Sequence, residues 1–145
     1  MQFPLHPAAV HFPIALITAA LILHTIHLYR PEWMHKAIGL WLLGLSTIFS
    51  LVSVLSGQKE IQKAGELGYQ TETLILIEQH QTLGNIVVWG SILLFFSWLF
   101  LYLKNLVNYK VNQLAFAFLL LLFFVVFISG YTGGLLVYIH GVGTP

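Results

Sequence analysis

The chain has 145 residues, of which 58% are hydrophobic and 8% are charged, and its net charge is +1. A soluble domain carries roughly a quarter charged residues, so these proportions exclude a water-soluble fold, and the small net charge gives no reason to expect a nucleic-acid partner. Cysteine is absent, which excludes disulfides, thiolate-bound iron–sulfur clusters and covalently attached haem. The composition predicts a single membrane domain over residues 1–145.

Four stretches are long and apolar enough to cross a bilayer, whose hydrocarbon core requires about 20 helical residues. They cover about residues 8–29, 37–56, 83–103 and 114–139, and none contains Asp, Glu, Lys or Arg. The sequence therefore predicts an all-α fold, a bundle of four transmembrane helices, with a long loop at 57–82. Within this loop, Thr71 is expected to cap a helix that continues into the third span. A separate short helix is expected at Gln58–Leu67, in the membrane interface.

Basic residues predict the orientation, because loops rich in Lys and Arg stay in the cytoplasm. The two short loops carry four basic residues and the long loop carries two: Arg30, Lys36, Lys104 and Lys110 in the short loops, Lys59 and Lys63 in the long one. We therefore expect both termini on the outer side of a bacterial inner (cytoplasmic) membrane, crossed in several passes.

Seven histidines are the most informative residues of a chain with few other titratable groups. In the expected topology four of them lie near the outer ends of the spans: His6, His11, His80 and His140. Imidazole is cheaper to bury than a carboxylate and is a common axial ligand of haem iron. We therefore expect these histidines to hold haem b, one or two groups, with His11 and His80 as the first pair and His6 and His140 as the second.

Small residues near these histidines support a flat ligand. Gly84 follows His80 by one turn and Gly133 precedes His140 by two turns, so both could leave a slot for a macrocycle. Lys59, Lys63 and Tyr138 would then lie near the haem propionates. The same small residues are also the ordinary means by which membrane helices pack closely, and this alternative stays open.

The other three histidines, His24, His27 and His35, are expected near the inner side. His24 lies 13 residues after His11, about 20 Å along a helix, which is a distance that would suit a second, inner haem. His35 is the available second ligand there. The more ordinary interpretation is an interfacial setting with water and headgroups.

Two prolines are expected to shape the backbone of the first span. Pro7 suits the first position of a helix, whereas Pro13 removes a hydrogen bond and is expected to kink the helix. His6 and His11 are five residues apart, so on a regular helix they point to different faces and should not share a metal.

Two terminal motifs resemble a known family. The start, His6-Pro7-x-x-Val10-His11-Phe12-Pro13-Ile14-Ala15-Leu16, and the end, Gly130-x-x-Gly133-Gly134-x-x-Val137-Tyr138-x-His140-Gly141-x-Gly143, resemble the bacterial membrane proteins catalogued as domain of unknown function 2231. A histidine that heads the third span, here His80, is also typical. The resemblance covers the whole chain and supports His6, His11, His80 and His140, but not the three inner histidines. Members often look associated with cytochrome c or Rieske-type modules, which implies electron transport.

Three functions follow as hypotheses. The first is a b-type cytochrome subunit of a membrane electron-transfer complex, which exchanges electrons with a cytochrome c-type partner or quinone and is not catalytic alone. The second is a non-haem copper or zinc protein that uses the four outer histidines. The third is a structural subunit that anchors or seals a larger complex within the lipid bilayer.

Overall fold

The computed structural model describes residues 5–143, and the side chains of all of these except residues 5, 59, 60, 63 and 64. Five helices form this part of the chain: α1 (Leu5–Ala9), α2 (His11–Tyr29), α3 (Ile38–Glu66), α4 (Thr71–Leu103) and α5 (Tyr109–Tyr138). Four stretches are long and apolar enough to cross a membrane, the first of them formed by α1 and α2 together. The predicted all-α fold with four membrane-spanning helices is confirmed.

The distribution of side chains is that of a protein that faces lipid. Large apolar residues point outward: Trp41 is 63% exposed, Phe96 is 60% exposed and Leu121 is 58% exposed. The interior combines large apolar side chains with small hydroxyl residues, and Ser46 and Ser91 are fully buried. Lipid tails are as apolar as leucine, so close packing of small residues holds such helices together rather than burial of apolar surface.

The helices form a closed ring in which α2 packs on α3, α3 on α4, α4 on α5, and α5 back on α2, while α1 packs mainly on α3. Diagonally opposite helices meet through side chains, such as Trp98 of α4 against His24 of α2. Each spanning helix satisfies its interior backbone groups by hydrogen bonds within the helix, as the membrane requires. The closed ring leaves a central axis whose filling differs between the two ends.

The segment predicted as an outer loop, residues 57–82, is mostly helical. Helix α3 continues without a break to Glu66, so the polar stretch that starts at Gln58 is not a separate interfacial helix. Helix α4 starts at Thr71, and the capping position, which was expected at Thr71, belongs to Gln70, whose side chain makes no capping hydrogen bond. Gly68, with φ of +71°, adopts the left-handed conformation that ends α3 and reverses the chain.

The helix break in the first span falls at Val10, three residues before the expected kink. Pro13 lies in the first turn of α2, where a missing N–H leaves no hydrogen bond unmade. Pro7 is the third residue of α1, again within a first turn. Because α1 and α2 are separate helices, the regular-helix geometry that was expected to direct His6 and His11 apart does not apply.

We call the end of the bundle that carries the loops 30–37 and 104–108 the basic end, since Arg30, Lys36 and Lys104 lie there. The opposite end, where α1 and the last turns of α5 lie, is the cavity end. Which of the two ends faces the cytoplasm remains a prediction from the basic residues.

Candidate functional site

A cavity of about 390 Å³ opens at the cavity end and is lined by all five helices. Its volume falls within the roughly 300–1,000 Å³ of small-molecule sites. The lining contains three histidines and four glycines: His6, His11 and His80, with Gly84, Gly130, Gly133 and Gly134. The expected slot beside Gly84 and Gly133 is therefore present as a cavity, and α5 contributes most of its small residues.

His6 is fixed by α3. Its Nδ1 lies 2.8 Å from the backbone oxygen of Ser53, and because a carbonyl only accepts hydrogen bonds, Nδ1 carries the proton. The unprotonated nitrogen is then Nε2, whose lone pair is available to a ligand. Gly57 permits this position, since a Cβ there would lie 2.9 Å from Cε1 of the imidazole.

His80 is fixed in the same way by α5, through a hydroxyl. Its Nδ1 lies 3.0 Å from Oγ1 of Thr132, and that hydroxyl donates its only hydrogen to the backbone oxygen of Ser129. Thr132 therefore accepts from His80, so Nδ1 again carries the proton and Nε2 keeps its lone pair. A Cβ on Gly133 would lie 3.0 Å from Cε1 of this imidazole.

His11 follows the same rule at the rim of the cavity. Its Nδ1 donates to the backbone oxygen of Pro7 at 2.7 Å, and the side chain is exposed. In all three cavity histidines, Nε2 is therefore the nitrogen that keeps a lone pair. A histidine whose other ring nitrogen is held by a carbonyl or hydroxyl is the usual arrangement around a bound metal.

The imidazoles of His6 and His80 form an edge-to-face pair. Their ring centroids are 6.2 Å apart and their planes are nearly perpendicular, at 83°. With metal–nitrogen bonds of about 2.0–2.1 Å, two imidazoles on opposite sides of one ion have centroids roughly 6 Å apart. The neighbour of His80 is thus His6, whereas the sequence favoured His11.

His140 lies apart from the cavity. Its Nδ1 forms a hydrogen bond of 2.9 Å with Oγ1 of Thr73 in the first turn of α4, and the residue is not part of the lining. The expected pairing of His140 with His6 therefore has no support in this geometry. Tyr138 does line the cavity, while the side chains of Lys59 and Lys63 lie outside the described residues.

Two polar residues of the cavity region were not identified as candidates from the sequence. Thr132 orients His80, and Ser50 lines the cavity with a buried hydroxyl that has no hydrogen-bond partner among the described residues. On α3, Ser46, Ser50 and Ser53 are all buried, but nothing in the sequence indicates that Ser50 lines a cavity. Nothing in the sequence pairs Thr132 with His80, because they are 52 residues apart.

At the basic end, His24 and His27 are buried within the bundle and His35 is exposed. His24 is fully buried and packs on Trp98, with ring centroids 4.8 Å apart. A ring with no accessible surface has no gap beside it for a macrocycle, so an inner haem on His24 and His35 does not fit. Among the side chains that the structure describes, no group of three or more His, Asp or Glu gathers as a metal site, and the hypothesis of a four-histidine copper or zinc site gains no support.

Comparison with other proteins gives one match. No curated protein and no solved structure matches the chain. The family model described as "Predicted membrane protein (DUF2231)" matches residues 2–145, which is nearly the full length, and its description agrees with the four apolar helices. The chain therefore belongs to the family of predicted membrane proteins known as domain of unknown function 2231.

Proposed function

We propose that this protein is a b-type cytochrome subunit whose cavity end binds one haem b between His6 and His80. The observation that carries the proposal is the pair itself. Two imidazoles from separate helices have ring centroids 6.2 Å apart, both line the cavity, and the hydrogen bonds of both leave Nε2 unprotonated.

The surroundings of the pair favour a flat ligand over a bare ion. Gly134 has no atom within 4 Å of a Cβ built on it, and the nearest atom to such a Cβ on Gly84 is 3.5 Å away. A site for a lone metal ion gains nothing from this space, since first-row metal ions are held by bonds of about 2.0–2.3 Å. A macrocycle needs the space on all sides of its iron.

Haem iron would supply one-electron transfer between its ferric and ferrous states. The chain's own residues hold and orient the group. The Ser53 carbonyl and the Thr132 hydroxyl keep each Nδ1–H engaged, which raises the basicity of Nε2 and fixes each ring. The apolar lining excludes water, and His11 with Tyr138 forms part of the rim, where a cytochrome c-type partner or a quinone would exchange electrons.

An absorption spectrum tests the proposal. The protein is purified in detergent and its spectrum is recorded oxidised and after reduction with dithionite; a Soret band and sharp reduced bands are expected. His6→Ala and His80→Ala should each lose most of the bound haem, because each removes one axial ligand. His140→Ala is the matched control, since this histidine lies at the same end but outside the cavity, and should keep the full spectrum.

Three outcomes would contradict the proposal. A colourless protein that contains copper or zinc would favour a non-haem metal protein, and a colourless, metal-free protein would favour a structural subunit. Haem retained by both His6→Ala and His80→Ala would show that the ligands lie elsewhere.

A further inference from the structure

A second histidine pair lies at the basic end, and it has unsatisfied polar atoms. His24 donates a hydrogen bond from Nε2 to the backbone oxygen of Asn112 at 2.9 Å, so its Nδ1 carries a lone pair. This Nδ1 is buried and has no hydrogen-bond partner in the described part of the chain, and the same holds for Oδ1 of Asn112. A buried acceptor without a donor costs free energy, so a bound cation or hydrogen-bond donor would stabilise this arrangement.

His27 is the other member of the pair. Its Nδ1 donates to the backbone oxygen of Met34 at 3.1 Å, which leaves Nε2 as the lone-pair nitrogen. The ring centroids of His24 and His27 are 6.1 Å apart and the planes are tilted by 32°. As at the cavity end, this separation is close to the roughly 6 Å expected for two imidazoles on one metal ion.

The chemistry of the cluster selects a cation rather than a neutral organic ligand. His24 is fully buried between Trp98 and Gly39; a Cβ on Gly39 would lie 3.4 Å from Nδ1. A ring with no accessible surface leaves no room beside it for a polyatomic organic ligand. The unsatisfied atoms, Nδ1 of His24 and Oδ1 of Asn112, are both acceptors, so they call for a positive charge or a donor.

The number and type of donors narrow the choice of cation. Zinc takes four ligands in structural sites, and calcium and magnesium require oxygen ligands, whereas imidazole suits copper, iron and nickel. The basic end carries Arg30, Lys36, Lys104 and Lys110, and repulsion from these charges is half as large for a monovalent ion as for a divalent one. A monovalent ion with an affinity for imidazole and a low coordination number satisfies all of these conditions.

We propose that His24 and His27 bind a single Cu(I) ion at the basic end, with Asn112 as the adjacent oxygen acceptor. The carbonyls of Asn112 and Met34 fix the two rings so that Nδ1 of His24 and Nε2 of His27 are the ligand atoms. His27 is 9% exposed and gives the ion its route of entry from the basic end. This site is independent of the haem proposed at the cavity end.

The test is a Cu(I) titration of the purified protein under anaerobic conditions, with bicinchoninate as the competing chelator. It is made on the wild-type chain and on His80→Ala, whose cavity pair is lost. Both should bind one equivalent of Cu(I). His24→Leu and His27→Leu should each weaken binding by on the order of 100-fold or more, since removal of a mere second-shell partner already costs 10–100-fold.

His35→Leu is the matched control, because this histidine lies at the same end but is exposed, and it should bind as the wild type does. Copper K-edge absorption of wild-type protein provides a measurement that needs no variant, and should show low-coordinate Cu(I) with nitrogen donors. The proposal is overturned if His80→Ala binds no Cu(I), or if Cu(I) binding survives in both His24→Leu and His27→Leu. Failure of the haem spectrum leaves this test unaffected, so the two proposals fail separately.

Discussion

Each end of the bundle holds a pair of imidazoles at nearly the same separation, but the surroundings of the two pairs are opposite. The ring centroids of His6 and His80 are 6.2 Å apart and those of His24 and His27 are 6.1 Å apart, and in each pair hydrogen bonds fix which nitrogen keeps its lone pair. The cavity pair borders about 390 Å³ of space, whereas His24 is fully buried. The comparison teaches that the space around an imidazole pair, rather than the pair itself, decides which class of ligand the pair can hold.

The difference in space has an identifiable cause. At the cavity end, α5 supplies three glycines to the lining, and one of them, Gly133, would contact the imidazole of His80 if it carried a Cβ. At the basic end, Trp98 fills the axis of the bundle with a side chain that is 2% exposed. The glycines of α5 therefore leave a slot at the cavity end, whereas the large side chain of Trp98 on α4 fills the core at the basic end.

Filling the slot gives the largest expected effect. Gly134→Leu places a side chain where a Cβ meets no atom within 4 Å, inside the cavity, and should reduce bound haem to less than a tenth of the wild-type level. Gly65→Leu is the control, because a Cβ at this position also meets no atom but lies outside the cavity lining. The measurement is the haem-to-protein absorbance ratio. Full haem content in Gly134→Leu would show that the cavity is not the haem site.

Removal of the Trp98 side chain from the core at the basic end tests the comparison from the opposite side. Trp98→Ala should lower the free energy of unfolding by about 3–5 kcal/mol, the usual cost of removing a buried aromatic side chain. The protein that remains folded should keep its haem spectrum, because the cavity end is unchanged. Trp89→Ala is the matched control on the same helix, since Trp89 is 64% exposed and faces lipid. Unfolding is followed by circular dichroism in detergent, and equal destabilisation by both variants would contradict the described core.

Removing the hydroxyl that orients His80 should have an intermediate effect. Thr132→Val keeps the shape of the side chain but leaves Nδ1–H of His80 without its acceptor, and loss of such a second-shell partner costs about 10–100-fold in metal affinity. Thr82→Val serves as control, because its hydroxyl bonds only to the backbone of Glu78. Haem affinity is measured by transfer to a competing apoprotein. Unchanged affinity in Thr132→Val would remove His80 from the proposed ligand pair.

The smallest effect concerns the cap of α5, which supports Asn112 at the basic end. The side chain of Asn108 accepts a hydrogen bond from the backbone N–H of Val111 at 3.1 Å, and Asn108→Ala should lower the free energy of unfolding by about 1 kcal/mol. Asn108→Ser should restore most of this loss, because serine is also a good cap. The haem spectrum should not change in either variant; a loss of haem would show that the two ends are coupled.

Much of the fold was predictable because the bilayer sets both the length and the composition of a spanning helix. The four spans and the placement of His6, His11 and His80 at one end follow from apolar stretches in the sequence. Which of these histidines form a pair did not follow from the sequence. It depends on the helix break at Val10, which places α1 against α3 and brings His6, rather than His11, to His80.

The sequence by itself determined that this chain is a four-helix membrane protein with histidines near both ends of its spans. Only the tertiary structure decided which histidines meet, which face a cavity and which are enclosed. The physical reason is that lipid and protein interior are about equally apolar, so no apolar stripe in the sequence marks the inward face of a membrane helix. The rotation of each helix is set by the fit of small residues such as Gly57 and Gly133 against the rings of His6 and His80, and that fit exists only once the helices are packed.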